Sequence, residues 1–265
     1  MSGSFDPVLV ALSFVVAVVA SYTALGLARK VAETSGFVST FWLIAGAASM
    51  GIGIWTMHFV GMLAFSMEMP FTYDVNITIL SLLAGIGASG FAIYVGSLKS
   101  VSNLKIGLSG IILGAGIATM HYLGMAAMKM QATIHYDTFW VGVSIVIAVV
   151  AATAAIWIAF TLARRAEHGL FKLKMIAAFV MGIAICGMHY TGMIAASYEP
   201  LRGVVMDHTG PVQQTWLAVS IAIAALVILG VTHLTIFFDY RLSAQKLIGE
   251  QAEQEAFRLS EILDD

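Results

Sequence analysis

The sequence predicts an all-α membrane protein: seven transmembrane helices built from three parallel two-helix repeats plus an additional N-terminal helix. Three observations predict it. Hydrophobic residues make up 60% of the 265-residue chain and charged residues 11%, against roughly 25% charged in a soluble domain; the mean hydropathy is +0.92. Seven apolar stretches each reach the ~20 residues a spanning helix needs. One hexapeptide, Met-His-aromatic-x-Gly-Met, occurs three times in corresponding places, and such self-similarity is the mark of a repeat architecture.

The spans run 7–28, 38–65, 77–98, 106–128, 139–163, 173–197 and 215–238. The first is long and lacks a basic lead-in, so it reads as a spanning helix rather than a cleavable signal. Small residues such as Gly85, Gly87, Ser89 and Gly90 are scattered through the spans, as close helix packing in lipid prefers. Arg29, Lys30, Lys99, Lys105, Arg164, Arg165, Lys172, Lys174, Arg241, Lys246 and Arg258 fall at one set of ends, and only Lys129 and Arg202 at the other. The positive-inside rule makes the first side cytoplasmic and puts the N-terminus outside. Asp6, Glu68, Asp74, Asp137, Glu199 and Asp207 make the outer side acidic.

The repeat exceeds the hexapeptide. Tyr73-Asp74 follows Met62 at the distance at which Tyr136-Asp137 follows Met125, and Ser81 and Ser144 share the same offset. No Tyr-Asp stands at that distance after Met193. Asp74 and Asp137 each precede an inward helix and read as helix N-caps. The unit is therefore an outward helix, a loop and an inward helix, with helix 1 outside the repeats. Residues 1–240 form the membrane domain. Residues 241–265 are charged and carry Leu242, Leu247, Ile248, Leu259 and Leu263 at helical spacing. They read as a cytoplasmic amphipathic helix that pairs with a second copy, giving a homodimer.

Histidines at positions surrounded by hydrocarbon are costly and read as functional. His58, His121 and His189 occupy the three motif copies. Met62, Met125 and Met193 stand four residues on, on the same helix face about 6 Å away. Met57, Met120 and Met188 are turned about 100° from the histidines, and with Tyr122 and Tyr190 they form the layer around this set. Gly61, Gly124 and Gly192 remove bulk and let another helix approach. A threefold axis along the membrane normal would bring the imidazoles to one level. Imidazole with thioether favours copper, with zinc or iron as alternatives. Buried histidines bonded to one another or to carbonyls are the competing reading.

The remaining candidates are weaker. Cys186, the one cysteine, excludes an internal disulfide; it lies three residues before His189 but reads as packing. His135 and His208 lie in outer loops, His168 in the basic cytoplasmic loop, and His233 near the inner end of the last span. No nucleotide motif, nucleophile elbow or nucleic-acid patch is present in the sequence.

On its three motif copies, the chain resembles the MHYT domain, a bacterial seven-helix integral membrane sensor, over roughly residues 1–240. Phe59 departs from tyrosine at the first aromatic. The resemblance implies copper near the outer face of the bacterial cytoplasmic membrane, sensing oxygen, carbon monoxide or nitric oxide. It also implies a cytoplasmic output, fused or in trans, usually a diguanylate cyclase and phosphodiesterase and sometimes a histidine kinase. Carried over by position, the ligands are His58, His121 and His189 with the adjacent methionines. No catalysis is expected of this chain itself. A transporter would place polar positions along the inner halves of the helices, and these are nearly bare. A membrane metalloenzyme would place acid–base groups at the site, and Glu68 and Glu199 are both in loops. A metal-dependent sensor fits best.

Overall fold

The computed structural model describes residues 4–66, 71–164 and 170–200, with scattered positions between Ser220 and Gln251. Six long helices dominate: α1 (Pro7–Glu33), α2 (Gly36–Ala64), α3 (Val75–Ser97), α4 (Asn103–Ala126), α5 (Thr138–Leu162) and α6 (Leu170–Ile194). Each contains a stretch long and apolar enough to cross a membrane. About half of the expected seventh span and most of the tail fall outside the described residues, as do Glu68, His168, Asp207, His208 and His233. The positions described from Ser220 to Gln251 are helical. In that stretch Ile228 lies beside Gly53 of α2, and Phe238 sets its ring edge-on to Trp42 at 5.7 Å.

Spans expected to stay helical to residues 128 and 197 stop earlier. Six short strands occupy these ends: β1 (Ser4–Phe5), β2 (Phe65–Ser66), β3 (Phe71–Tyr73), β4 (Met128–Met130), β5 (Ala132–Tyr136) and β6 (Ala196–Pro200). They pair antiparallel as β1–β2, β3–β4 and β5–β6, with Phe5 opposite Phe65, Thr72 opposite Lys129 and Ile134 opposite Tyr198. Each ribbon joins the strand before an odd-numbered helix to the strand after the next even-numbered one. The chain thus forms three β–α–α–β units, each clasped by its own ribbon.

One residue type sets each clasp and starts each helix. The backbone N–H groups of Asp6, Asp74 and Asp137 donate to the carbonyls of Ala64, Ala127 and Ala195 at 2.8, 2.7 and 2.9 Å. The carboxylates of the same residues accept from the free N–H groups of the next first turn: Val8 and Leu9, Asn76 and Ile77, Phe139 and Trp140. These groups have no partner inside the helix, so the cap defines where it begins.

Asp6 therefore does for α1 what Asp74 and Asp137 do for α3 and α5. The helices pack in a closed ring, α1–α2–α3–α4–α5–α6 and back to α1. In it α1 fills between α6 and α2 the place that α3 and α5 fill elsewhere. Three equivalent glycines let the ring close. A Cβ on Gly51 would lie 2.4 Å from Ile86 Cα, on Gly114 2.7 Å from Val149 Cα, and on Gly182 2.6 Å from Val18 Cγ2. Lipid provides no hydrophobic drive between helices, so such backbone approach is where their packing attraction comes from. Leu83, Val150 and Ile176 are exposed on the outside of the ring, as a lipid-facing surface requires.

Candidate metal centre

The three motif histidines meet on the axis of the ring. Each is fully buried, at 0% exposure. Their Nδ1 atoms form a triangle: His58 to His189 at 3.0 Å, His58 to His121 at 3.1 Å and His121 to His189 at 3.2 Å. The rings stand edge-on to one another at 79–89°, like blades of a propeller. Each also stands 4.8 Å, ring centre to ring centre, from the aromatic residue that follows it, Phe59, Tyr122 or Tyr190.

The motif glycines hold these rings. A Cβ on Gly124 would lie 2.2 Å from His58 Nε2, on Gly192 2.4 Å from His121 Nε2, and on Gly61 2.3 Å from His189 Nε2. Each glycine thus makes room for the imidazole of a neighbouring motif helix. The sequence pointed to space for a whole helix; the space is for a ring, and the pairing runs cyclically around the axis. It turns every Nε2 outward and every Nδ1 inward.

Hydrogen bonding serves this triangle poorly. A neutral imidazole carries one N–H and one lone pair. With all three protons on Nδ1, three hydrogens crowd one point. With one Nδ1–H facing two bare Nδ1 atoms, a single proton is shared between two lone pairs in a bifurcated bond. A cation accepting three lone pairs satisfies all three at once. The dimensions fit: a triangle of such edges has its centre about 1.8 Å from each corner. That is near the ~2.0–2.1 Å of a metal–imidazole bond, so His58, His121 and His189 could hold one ion between them. The protons then sit on Nε2, which lacks a hydrogen-bond partner in all three rings. Metal-bound histidines usually donate that proton; here the glycine contacts fix the ring instead. Among the described residues these three histidines are the one group of His, Cys, Asp or Glu placed to hold a metal ion, and Cys186 is not in it.

Met57, Met62, Met120, Met125, Met188 and Met193 are all buried, at 0–4% exposure. Met120 lies against Gly85 of α3. Sequence reasoning missed a set of hydrogen bonds joining the motif helices to the other three. Ser13 and Ser144 donate their hydroxyl protons to the carbonyls of Val10 and Val141. The tyrosines are therefore the donors in Tyr190–Ser13 at 2.9 Å and Tyr122–Ser144 at 2.7 Å. Phe59 has no hydroxyl, and Trp55 Nε1 donates to Ser81 at 3.2 Å instead. The spacing of Ser13 seven residues after Asp6, as Ser81 follows Asp74 and Ser144 follows Asp137, was the available signal.

The ribbons cover the same end of the ring. Burial raises the Tyr73 and Tyr198 phenols well above their ordinary value, and Tyr136 is raised as well. Lys129 bonds the Asp74 carboxylate at 2.7 Å and, with the capped N–H groups, holds its pKa below the ordinary 3.8. His135, expected in a solvated loop, is 58% exposed and reaches Glu199 at 3.2 Å.

The chain matches the family described as a bacterial signalling protein N-terminal repeat, MHYT, three times, at residues 51–108, 114–170 and 182–249. It is 44% identical over 245 residues to the bifunctional diguanylate cyclase/cyclic di-GMP phosphodiesterase MucR of Pseudomonas aeruginosa, covering 91% of this chain and 35% of that protein. It is 41% identical over 198 residues to the signaling protein YkoW of Bacillus subtilis, covering 74% and 24%. With the cyclic di-GMP phosphodiesterase NbdA of P. aeruginosa the identity is 39% over 205 residues, covering 77% and 26%. The chain thus spans about a third or less of the length of these relatives. No solved structure matches it. Three motif copies, three matching repeats and membrane-spanning helices lead to one conclusion: the chain belongs to the MHYT family of bacterial signalling proteins.

Proposed function

We propose that the chain is a membrane sensor that holds one copper ion at His58, His121 and His189, responds to a diatomic gas, and relays the change to a cytoplasmic output. The observation that carries this reading is the triangle of Nδ1 atoms 3.0–3.2 Å apart, whose three lone pairs one cation serves better than a shared proton does. The thioethers of Met62, Met125 and Met193 complete the donor set and favour reduced copper over zinc or iron. Met57, Met120, Met188, Tyr122 and Tyr190 enclose it. Bound copper would supply an open position for a small neutral ligand such as oxygen, carbon monoxide or nitric oxide.

The chain's own groups do the rest. The glycines hold each imidazole with Nδ1 inward. The Tyr190–Ser13, Tyr122–Ser144 and Trp55–Ser81 bonds tie the motif helices to α1, α3 and α5, so a shift of the rings moves the whole bundle. The ligand must favour one arrangement of helices over the other for any signal to pass. In this reading the chain has seven helices, the N-terminus outside and the tail in the cytoplasm, so that the site would lie near the outer face of the bacterial cytoplasmic membrane. The tail, paired with that of a second copy, carries the change onward. Names of relatives such as MucR and NbdA favour cyclic di-GMP turnover as the output, performed by another domain or protein.

Carbon monoxide tests the reading. Added to the purified chain after copper loading and reduction, it should give a protein-bound infrared band that is absent in His121→Ala. No such band from a fully copper-loaded wild type would overturn gas binding at this site.

A further inference from the structure

One helical turn from the histidines, away from the ribbons, stand Ile54, Ile117 and Ile185, at the same offsets from each motif. Beyond them the ring does not close fully. A cavity of about 70 Å³ lies between the motif helices and the alternating helices α1, α3 and α5. The alternating helices present Ala24, Ala92 and Ala155, again at equivalent positions in the three units.

We propose that this chamber is a binding site for a small, neutral, apolar molecule of the size of xenon or dioxygen. Its volume is several times the ~10–15 Å³ that one water needs, so size does not keep it empty. Polarity keeps water out. The lining is apolar, Met50 and Met181 among aliphatic side chains, except for Ser89, whose Oγ is buried and has no hydrogen-bond partner. A single hydroxyl cannot give a water the two to four partners it requires, and apolar cavities of this kind stay dry and take up xenon. A charged or strongly polar ligand would find nothing to pair with. Benzene-sized molecules suit engineered cavities of about twice this volume. The recurrence of alanine at all three positions is what leaves the space open, since leucine at any of them adds three carbons to the lining.

The chamber deepens the sensing reading, as a store of gas one turn from the histidines, and rests on it for that purpose only; its binding needs no metal. Crystals of the metal-free protein pressurised with xenon provide the test. Anomalous scattering should place a xenon atom among Ile117, Ala92 and Ala155. Occupancy should fall at least about tenfold in Ala155→Leu or, where that variant does not fold, in Ala92→Val. Absence of xenon from the wild-type chamber, or equal occupancy in the filled variant, would overturn the proposal. Metal content measured in parallel separates the two ideas. Xenon without metal binding keeps the chamber and removes the sensor centre; metal without xenon does the reverse.

Discussion

Gly124→Ala touches no proposed ligand, yet it should cost the protein its metal. The added Cβ would lie 2.2 Å from His58 Nε2 and 2.8 Å from His58 Cδ2. Real Cβ contacts essentially never fall under 3.0 Å and are ordinary from 3.4 Å. The ring must therefore recede by roughly 0.8–1.2 Å. Metal–ligand distances tolerate about 0.2 Å, so the displacement exceeds the tolerance at least fourfold. His58 is fully buried between Phe59 and the other two imidazoles, which leaves it little room to move. Overpacking a core in this way costs about 1–3 kcal/mol. Gly61→Ala and Gly192→Ala should behave alike, because the pairing is cyclic. Gly87→Ala is the control: its Cβ would meet nothing within 4 Å. Elemental analysis after size-exclusion chromatography, with thermal unfolding in the same detergent, reads both effects. Full metal content and unchanged stability in Gly124→Ala would refute the idea that the motif glycine seats a neighbouring imidazole.

Three further outcomes are expected. Ser81→Ala leaves the Trp55 N–H without its acceptor; with Tyr122→Phe and Tyr190→Phe it should lower stability by about 0.6 kcal/mol each, at most about 1.7, measured by thermal unfolding in lipid nanodiscs. The Asp74 carboxyl is held below 3.8 by Lys129, so the β3–β4 clasp gains stability above that pH and loses it as pH falls through the lowered value; Lys129→Met should flatten this acid dependence in hydrogen exchange at the ribbon. Topology reporters fused after Arg165 and after Pro200 should report opposite sides of the membrane, and mass measurement in lipid should give a dimer that truncation at residue 240 reduces to a monomer.

The sequence was most legible where chemistry recurs at fixed spacing. Three copies of one hexapeptide marked the histidines, and the pairs Asp74/Asp137 and Ser81/Ser144 marked two of the units. The third unit was hidden by a change of spacing. Asp6 and Asp137 each stand 52 residues before their motif histidine, whereas Asp74 stands 47 before His121. An offset read from the later copies thus passes over α1. The ribbons escaped because strands of two to five residues are too short to show alternation. The orientation of Nδ1 toward the axis depends on how each helix is rotated against its neighbours, which no single helix encodes. Trp55 substituting for a hydroxyl that Phe59 lacks is visible only once α2 lies beside Ser81.

The metal content of the purified chain tests the central claim most directly. Wild type loaded with copper, then stripped of loosely held metal by size-exclusion chromatography, should retain one ion per chain. His58→Ala/His121→Ala/His189→Ala should retain none while eluting at the same volume. A wild type that refuses copper, zinc and iron alike, or a triple variant that keeps its metal, would show that the three imidazoles are a packing feature and not a metal centre.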